Sequence, residues 1–297
     1  MAAISLEDIN LFMQSGAGSG RDANDKNNKK REAILAGLFN GQFTEFLADN
    51  RWSSLKLKFQ EALEKIAMAA QLAPPFVMTL QQKGGRGYNY DFLVVVNGKE
   101  FRVEFKSGGT SVTNIPEYFN PAADKPFHSE LYARFFYRNY LPSIVALRPD
   151  IGVLPSEDVY MAEVHKNSSN NDFLKKLDEA NDNDPIFYKH KSVIVKASIK
   201  AFLETQSANT NLALITAEFQ RSQENKWFLL YSGGVFRHDQ IKPEELIATA
   251  AVGVRNGNKL VIQSAAPGTK HEMLLRWKNH LGVLYPAWQI DMKRSSY

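Results

Sequence analysis

YDFLVVVNGKEFRVEFKSG, residues 90–108, is a pair of alternating apolar runs on either side of Asn97-Gly98. Asn and Gly both tolerate positive φ, which the tight type I′ turn requires, so the stretch predicts a β-hairpin. A turn centred there sets Val96 opposite Lys99, Val94 opposite Phe101 and Phe92 opposite Val103. One step further out, Asp91 falls opposite Glu104. Because side chains alternate between faces, Phe92, Val94, Val96, Phe101, Val103 and Phe105 share one wholly apolar face. Asp91, Glu100, Arg102, Glu104 and Lys106 share the other, with Leu93 and Val95. A slip of one residue would bury the charges, so this register is strongly specified.

Directly opposed residues of a hairpin have Cβ atoms about 4.5–5.5 Å apart. Two carboxylates at that distance repel unless a cation lies between them, and a hard ion such as Mg²⁺ takes oxygen ligands while keeping waters. Lys106 emerges two residues beyond Glu104, about 7 Å along the same face. Two acids to hold a metal and an ammonium beside them suit phosphodiester hydrolysis: the metal neutralises phosphate and acidifies a water, and the lysine orients that water or stabilises the charge that develops.

The D-x12-E-x-K pattern of Asp91, Glu104 and Lys106 resembles that of the PD-(D/E)XK nuclease superfamily, over about 20 of the 297 residues. Tyr90 stands where the family's leading proline would be. The resemblance implies a restriction-endonuclease-like α/β fold, with a mixed central sheet flanked by helices, and Mg²⁺-dependent cleavage of nucleic acid, Mn²⁺ being able to substitute. It also implies the backbone carbonyl of Phe105 as a metal ligand and an acid from a preceding helix. Glu61 or Glu64 can supply that acid, with Glu64 preferred.

Around the hairpin, Lys83-Gly84-Gly85-Arg86-Gly87 offers backbone amides and two cations to a phosphate, but lacks the ending of a nucleotide-binding loop. Ser107, in the small-residue run after Lys106, is a candidate contact to the scissile strand, or part of a turn. Arg134 and Arg138, four apart on a predicted helix over 129–140, can track a nucleic-acid backbone or simply be solvated. A rival acid pair, Asp150 and Glu163, has the same twelve-residue gap, but Pro155 and the absence of a tight turn leave the two acids without a reason to meet. No His-x3-His or Gly-x-Ser-x-Gly occurs, which leaves no signal for a histidine metal site or a serine hydrolase. Trp227, Trp277 and Trp288 read as core residues.

Outward from the hairpin, residues 1–30 read as a flexible, polar arm. Residues 31–207 read as the catalytic lobe, with a strong helix over 53–71 capped by Ser53 or Ser54 and a strand over 158–165. Residues 208–297 read as a β-rich C-terminal lobe that could serve target recognition, with strands over 212–219, 227–231, 260–263 and 284–292. The absence of cysteine excludes disulfides and thiolate metal sites. A net charge of +4 permits a polyanionic partner without requiring one. No apolar run is long enough for a membrane span and no signal peptide is recognisable, so an intracellular, cytoplasmic protein is expected.

The sequence expectation is thus a Mg²⁺-dependent endonuclease of double-stranded DNA, of restriction type and possible as a homodimer. An RNA endonuclease, a repair or recombination nuclease, and an inactive nucleic-acid-binding protein of the same fold remain open.

Overall fold

The computed structural model of the chain describes residues 4–13, 21–84, 88–115 and 117–295. The architecture is mixed α/β with two separate sheets, and the chain divides into two compact units. One comprises Met1–Ile115 with Arg221–Lys242, the other Pro116–Gln220 with Pro243–Tyr297.

The first unit carries α1 (Asn10–Met13), α2 (Arg21–Phe39) and α3 (Asn50–Ala69), then β1 (Met78–Gln82), β2 (Phe92–Val96) and β3 (Lys99–Ser107). After the residues of the second unit, β4 (Lys226–Ser232) and β5 (Val235–Asp239) complete a five-stranded sheet in sequential order. All neighbours are antiparallel except β3 and β4, which run parallel. The hairpin register is the expected one, from Phe92↔Val103 to Val96↔Lys99, with positive φ at Asn97 and Gly98.

Its apolar face is core: Phe92, Val94, Val96, Phe101, Val103 and Phe105 are at most 4% exposed. They cluster with Trp227, Leu229 and Tyr231 of β4 and with the buried stripe of α3, which is Trp52, Leu55, Phe59, Leu63 and Ile66 at helical spacing. The Phe59 ring alone lies against those of Phe39, Phe92 and Phe236. The helix starts three residues earlier than expected. Asp49, not Ser53 or Ser54, caps it by accepting the Arg51 N–H at 2.8 Å.

The second unit carries α4 (Tyr132–Asn139), α5 (Leu141–Leu147), α6 (Glu157–Val164), α7 (Asp172–Asn183) and α8 (Pro185–Gln206). It also holds an antiparallel meander of β6 (Ala248–Arg255), β7 (Lys259–Ser264), β8 (Thr269–Asn279) and β9 (Leu284–Arg294). A last helix, α9 (Leu212–Gln223), crosses the boundary between the units and leads into β4. Trp277 and Trp288 are buried in this unit and Trp227 in the first, as core residues should be. Among the described residues no helix is long and apolar enough to cross a membrane.

Three expectations are corrected. Residues 1–30 are not wholly an arm: α2 begins at Arg21, and Ile9 and Phe12 are buried, with the Trp52 indole donating to the Leu6 carbonyl at 3.0 Å and the Tyr231 hydroxyl to that of Phe12 at 3.0 Å. The segments read as strands over 158–165 and 212–219 are α6 and α9, in which Tyr160 and Val164, and Ile215 and Phe219, recur four residues apart on a buried face. There is also no lobe boundary at 207/208, because β4 and β5 join the sheet of β1–β3 whereas β6–β9 form their own.

Candidate active site

The hairpin brings its polar residues together as its register requires. Continuing the ladder one residue past Phe92↔Val103 places Asp91 across from Glu104, and the Asp91 N–H donates to the Val103 carbonyl at 3.0 Å, holding the strands together there. On the other side, the Lys83 N–H donates to the Asp91 carbonyl at 2.7 Å. The Asp91 carboxylate accepts the Phe105 N–H through Oδ2 at 2.8 Å. Phe105 therefore reaches the site through its backbone while its ring lies in the core.

Glu104 is held by two ammonium groups. Lys106 Nζ meets its Oε1 at 2.5 Å, and Lys226 Nζ, from the first residue of β4, meets its Oε2. Parallel pairing of Arg102 with Lys226 and of Glu104 with Phe228 puts Lys226 on the Glu104 face of the sheet. Lys226 is 1% exposed, and its contact with the Glu104 carboxylate compensates the burial of its ammonium.

A third acid joins the cluster from α2. Burial first, then the negative charge of Asp91, raises the Glu32 carboxyl to about 8, with Glu104 adding to the rise and Lys106 and Lys29 opposing it. Asp91 is raised to about 6, by burial and then by Glu104, against the Phe105 N–H, Lys106 and Lys226. Glu104 goes the other way: burial pushes it up, but Lys226 and Lys106 together outweigh that and hold it below the usual carboxylate value. Burial likewise pulls Lys226 down while Glu104 holds it up. With the two groups in contact, the pair is ionised as carboxylate and ammonium.

The acid electrostatically coupled to Asp91 is Glu32 of α2, whereas the expected helix acids, Glu61 and Glu64, lie on α3. The core-facing stripe of α3 is apolar, and Glu61 is exposed outside it. Sequence reasoning missed Glu32 because it borders the polar stretch read as an arm, and Lys226 because it stands just outside a strand expected at 227–231. An acid directly before the apolar run Ala33–Phe39 was the available signal for Glu32.

The other candidates scatter. Ser107 is exposed at the end of β3, paired with Tyr231 in the ladder. Lys83 adjoins Asp91 through its backbone and lays its ammonium over the Tyr88 ring. Arg86 lies outside the described residues. Arg134 and Arg138 belong to α4 of the second unit, and both engage Glu157, at 2.8 Å each. Asp150 pairs with Arg148 and Glu163 with Lys166, on a 3₁₀ turn and on α6, so the rival acid pair does not form a site.

Among the described residues no three His, Asp or Glu side chains are grouped closely enough to hold a metal ion by themselves. Magnesium needs fewer: one or two carboxylates, with waters and phosphate oxygens completing its shell. The negative charge of Glu104 raises the proton affinity of the buried Asp91 carboxylate, a repulsion that a cation between the two would relieve, and Asp91 and Glu104 fit such a cation on that ground. Compared with protein families, with curated proteins and with solved structures, the chain matches none.

Proposed function

We propose that the chain is a metal-dependent endonuclease that hydrolyses DNA phosphodiester bonds, built on the restriction-endonuclease-like fold of the PD-(D/E)XK superfamily. The observation that carries this is the opposition of Asp91 and Glu104 across one hairpin with Lys106 beside them on the same face. The element order adds support: a helix, three antiparallel strands, then a helix leading into a strand that pairs parallel with the third.

Asp91, Glu104 and the Phe105 carbonyl are the groups that would hold magnesium. When bound, that ion supplies charge neutralisation at the scissile phosphate and acidity to a water. The chain's own residues do the rest. Lys106, anchored on Glu104, orients the attacking water and offsets the negative charge that builds on the phosphate oxygens. Glu32, which keeps its proton up to about pH 8, holds a proton beside Asp91 without adding a further charge at neutral pH. Lys226 neutralises Glu104 from the protein side. In-line attack would leave a 5′-phosphate and a 3′-hydroxyl, and a homodimer would cut both strands of a duplex.

Lys106→Ala and Asp91→Asn test the assignment. Both are expected to lose Mg²⁺-dependent cleavage by at least about a hundredfold, with DNA affinity in the absence of metal kept within a few fold. Wild-type cleavage by either variant removes that residue from the mechanism. Labelled linear and circular DNA and RNA, run in parallel, identify the substrate class.

A further inference from the structure

One face of the second unit's sheet is fully packed, and the other is charged and partly exposed. Along β8, Thr269, His271, Met273, Leu275 and Trp277 are buried, and β9 continues that layer with Trp288, Ile290 and Met292. The opposite face of β8 carries Lys270, Arg276 and Lys278, each half-exposed, alternating with Glu272 and Leu274. The ladder brings Lys293 across from Lys270 and Asp291 across from Glu272. From β6 and β7, Arg255 and Lys259 arrive on the same face, at 2.5 and 2.8 Å from the Glu272 carboxylate.

This face therefore bears six cations and two acids, a net +4, equal to the net charge of the whole 297-residue chain. The acids are spent on three of the cations: Glu272 on Arg255 and Lys259, Asp291 on Lys293 at 3.1 Å. Among the described residues no carboxylate lies within ion-pair distance of Lys270, Arg276 or Lys278. Those three lie along a single strand over about 27 Å, with the already paired Glu272 between Lys270 and Arg276, on a rigid support. The Tyr285 ring lies under the Lys278 ammonium at 5.5 Å, and the register sets Gln263 beside Lys270 and Gln289 beside Leu274.

We infer that this charged sheet face binds the phosphate backbone of nucleic acid, in duplex form. Three cations without a carboxylate partner, spaced along one strand whose acid is already paired and flanked by an aromatic ring and amides, are complementary to a regular polyanion. A compact acidic ligand would need cations converging on one point. The face is independent of the hairpin site: it can bind with a dead catalytic centre, and the centre can work if the face does not bind.

The test is equilibrium binding of a short fluorescent DNA duplex to the full chain in EDTA, titrated from about 50 to about 200 mM salt. Each phosphate contact contributes about 0.9 to the slope of log K against log salt, so K270A/R276A/K278A should lower that slope by about 3. K270E/K278E spares half-buried Arg276 and guards against misfolding; it should weaken binding at least as much as loss of two contacts, a slope change of about 2. Lys196→Ala, on the exposed side of α8, should leave the slope unchanged. An unchanged slope in both multiple variants, or no duplex binding by the wild type, overturns the inference. So does equal weakening toward polyglutamate, which would make the face a general anion surface. Because no cleavage is needed, these outcomes are separate from failure of the nuclease proposal, which plasmid digestion with Mg²⁺ reports.

Discussion

At the scale of single residues, Glu104 is the pivot. It sits opposite Asp91, and its charge is offset by one half-buried and one buried lysine. Asp91, Glu104 and Lys106 were legible because a two-residue turn fixes the register of a hairpin and alternation then fixes the face. Lys226 and Glu32 were not, because their closeness to Glu104 depends on a parallel pairing and a helix docking that no local pattern encodes. Removing one partner of a buried ion pair leaves the other uncompensated, so Lys226→Met should cost about 3–5 kcal/mol in metal-free urea unfolding. The same change frees Glu104 from a competing cation, so Mn²⁺ should bind more tightly by calorimetry. Weaker Mn²⁺ binding in Lys226→Met would instead make Lys226 a residue that only positions Glu104. Glu32 gives a pH signature. Its folded value, about 8, exceeds the unfolded one, so metal-free stability falls as pH rises from about 4.5 to about 8. Glu32→Gln should remove that part of the fall and be more stable than wild type at pH 8. An identical pH profile in the two proteins would place Glu32 outside the cluster.

At the scale of elements, periodicity decided what could be read. The hairpin and α3 follow clean repeats of two and of 3.6, and both form as expected. In 158–165 and 212–219, dense apolar and β-branched residues suggested strands, yet each stretch buries side chains four apart and is a helix. Tertiary packing overrode local preference there. The turn of the hairpin is a place where one residue carries the geometry. Gly98 has φ +82°, where an added Cβ is strained, so Gly98→Ala should destabilise by about 1–2 kcal/mol in chemical unfolding. A neutral effect would mean that the turn relaxes and the register is set elsewhere.

At the scale of the whole molecule, the units were illegible because each is assembled from two separated stretches. The β3–β4 pairing joins residues 102–107 to 226–231, and everything between belongs largely to the second unit. The second unit has its own acid sensitivity. His271 Nε2 donates to the Glu245 carbonyl at 2.7 Å, so in the neutral ring that burial favours Nδ1 accepts from the Tyr118 hydroxyl at 2.8 Å. Burial holds His271 and His128 down at about 4. Their contribution is present above the unfolded value near 6.5 and lost as pH falls toward about 4. Unfolding followed from pH 7 to 4.5 should therefore show declining stability that His271→Gln makes shallower; an unchanged slope would contradict the neutral assignment. The central claim, a metal-dependent nuclease built on one hairpin, meets its most direct test in closed circular plasmid incubated with the full chain, with and without Mg²⁺, and the fragment ends sequenced. Strand breaks that require Mg²⁺ and carry 5′-phosphates are predicted. Intact plasmid at every Mg²⁺ and Mn²⁺ concentration, from protein shown to be folded, would contradict it.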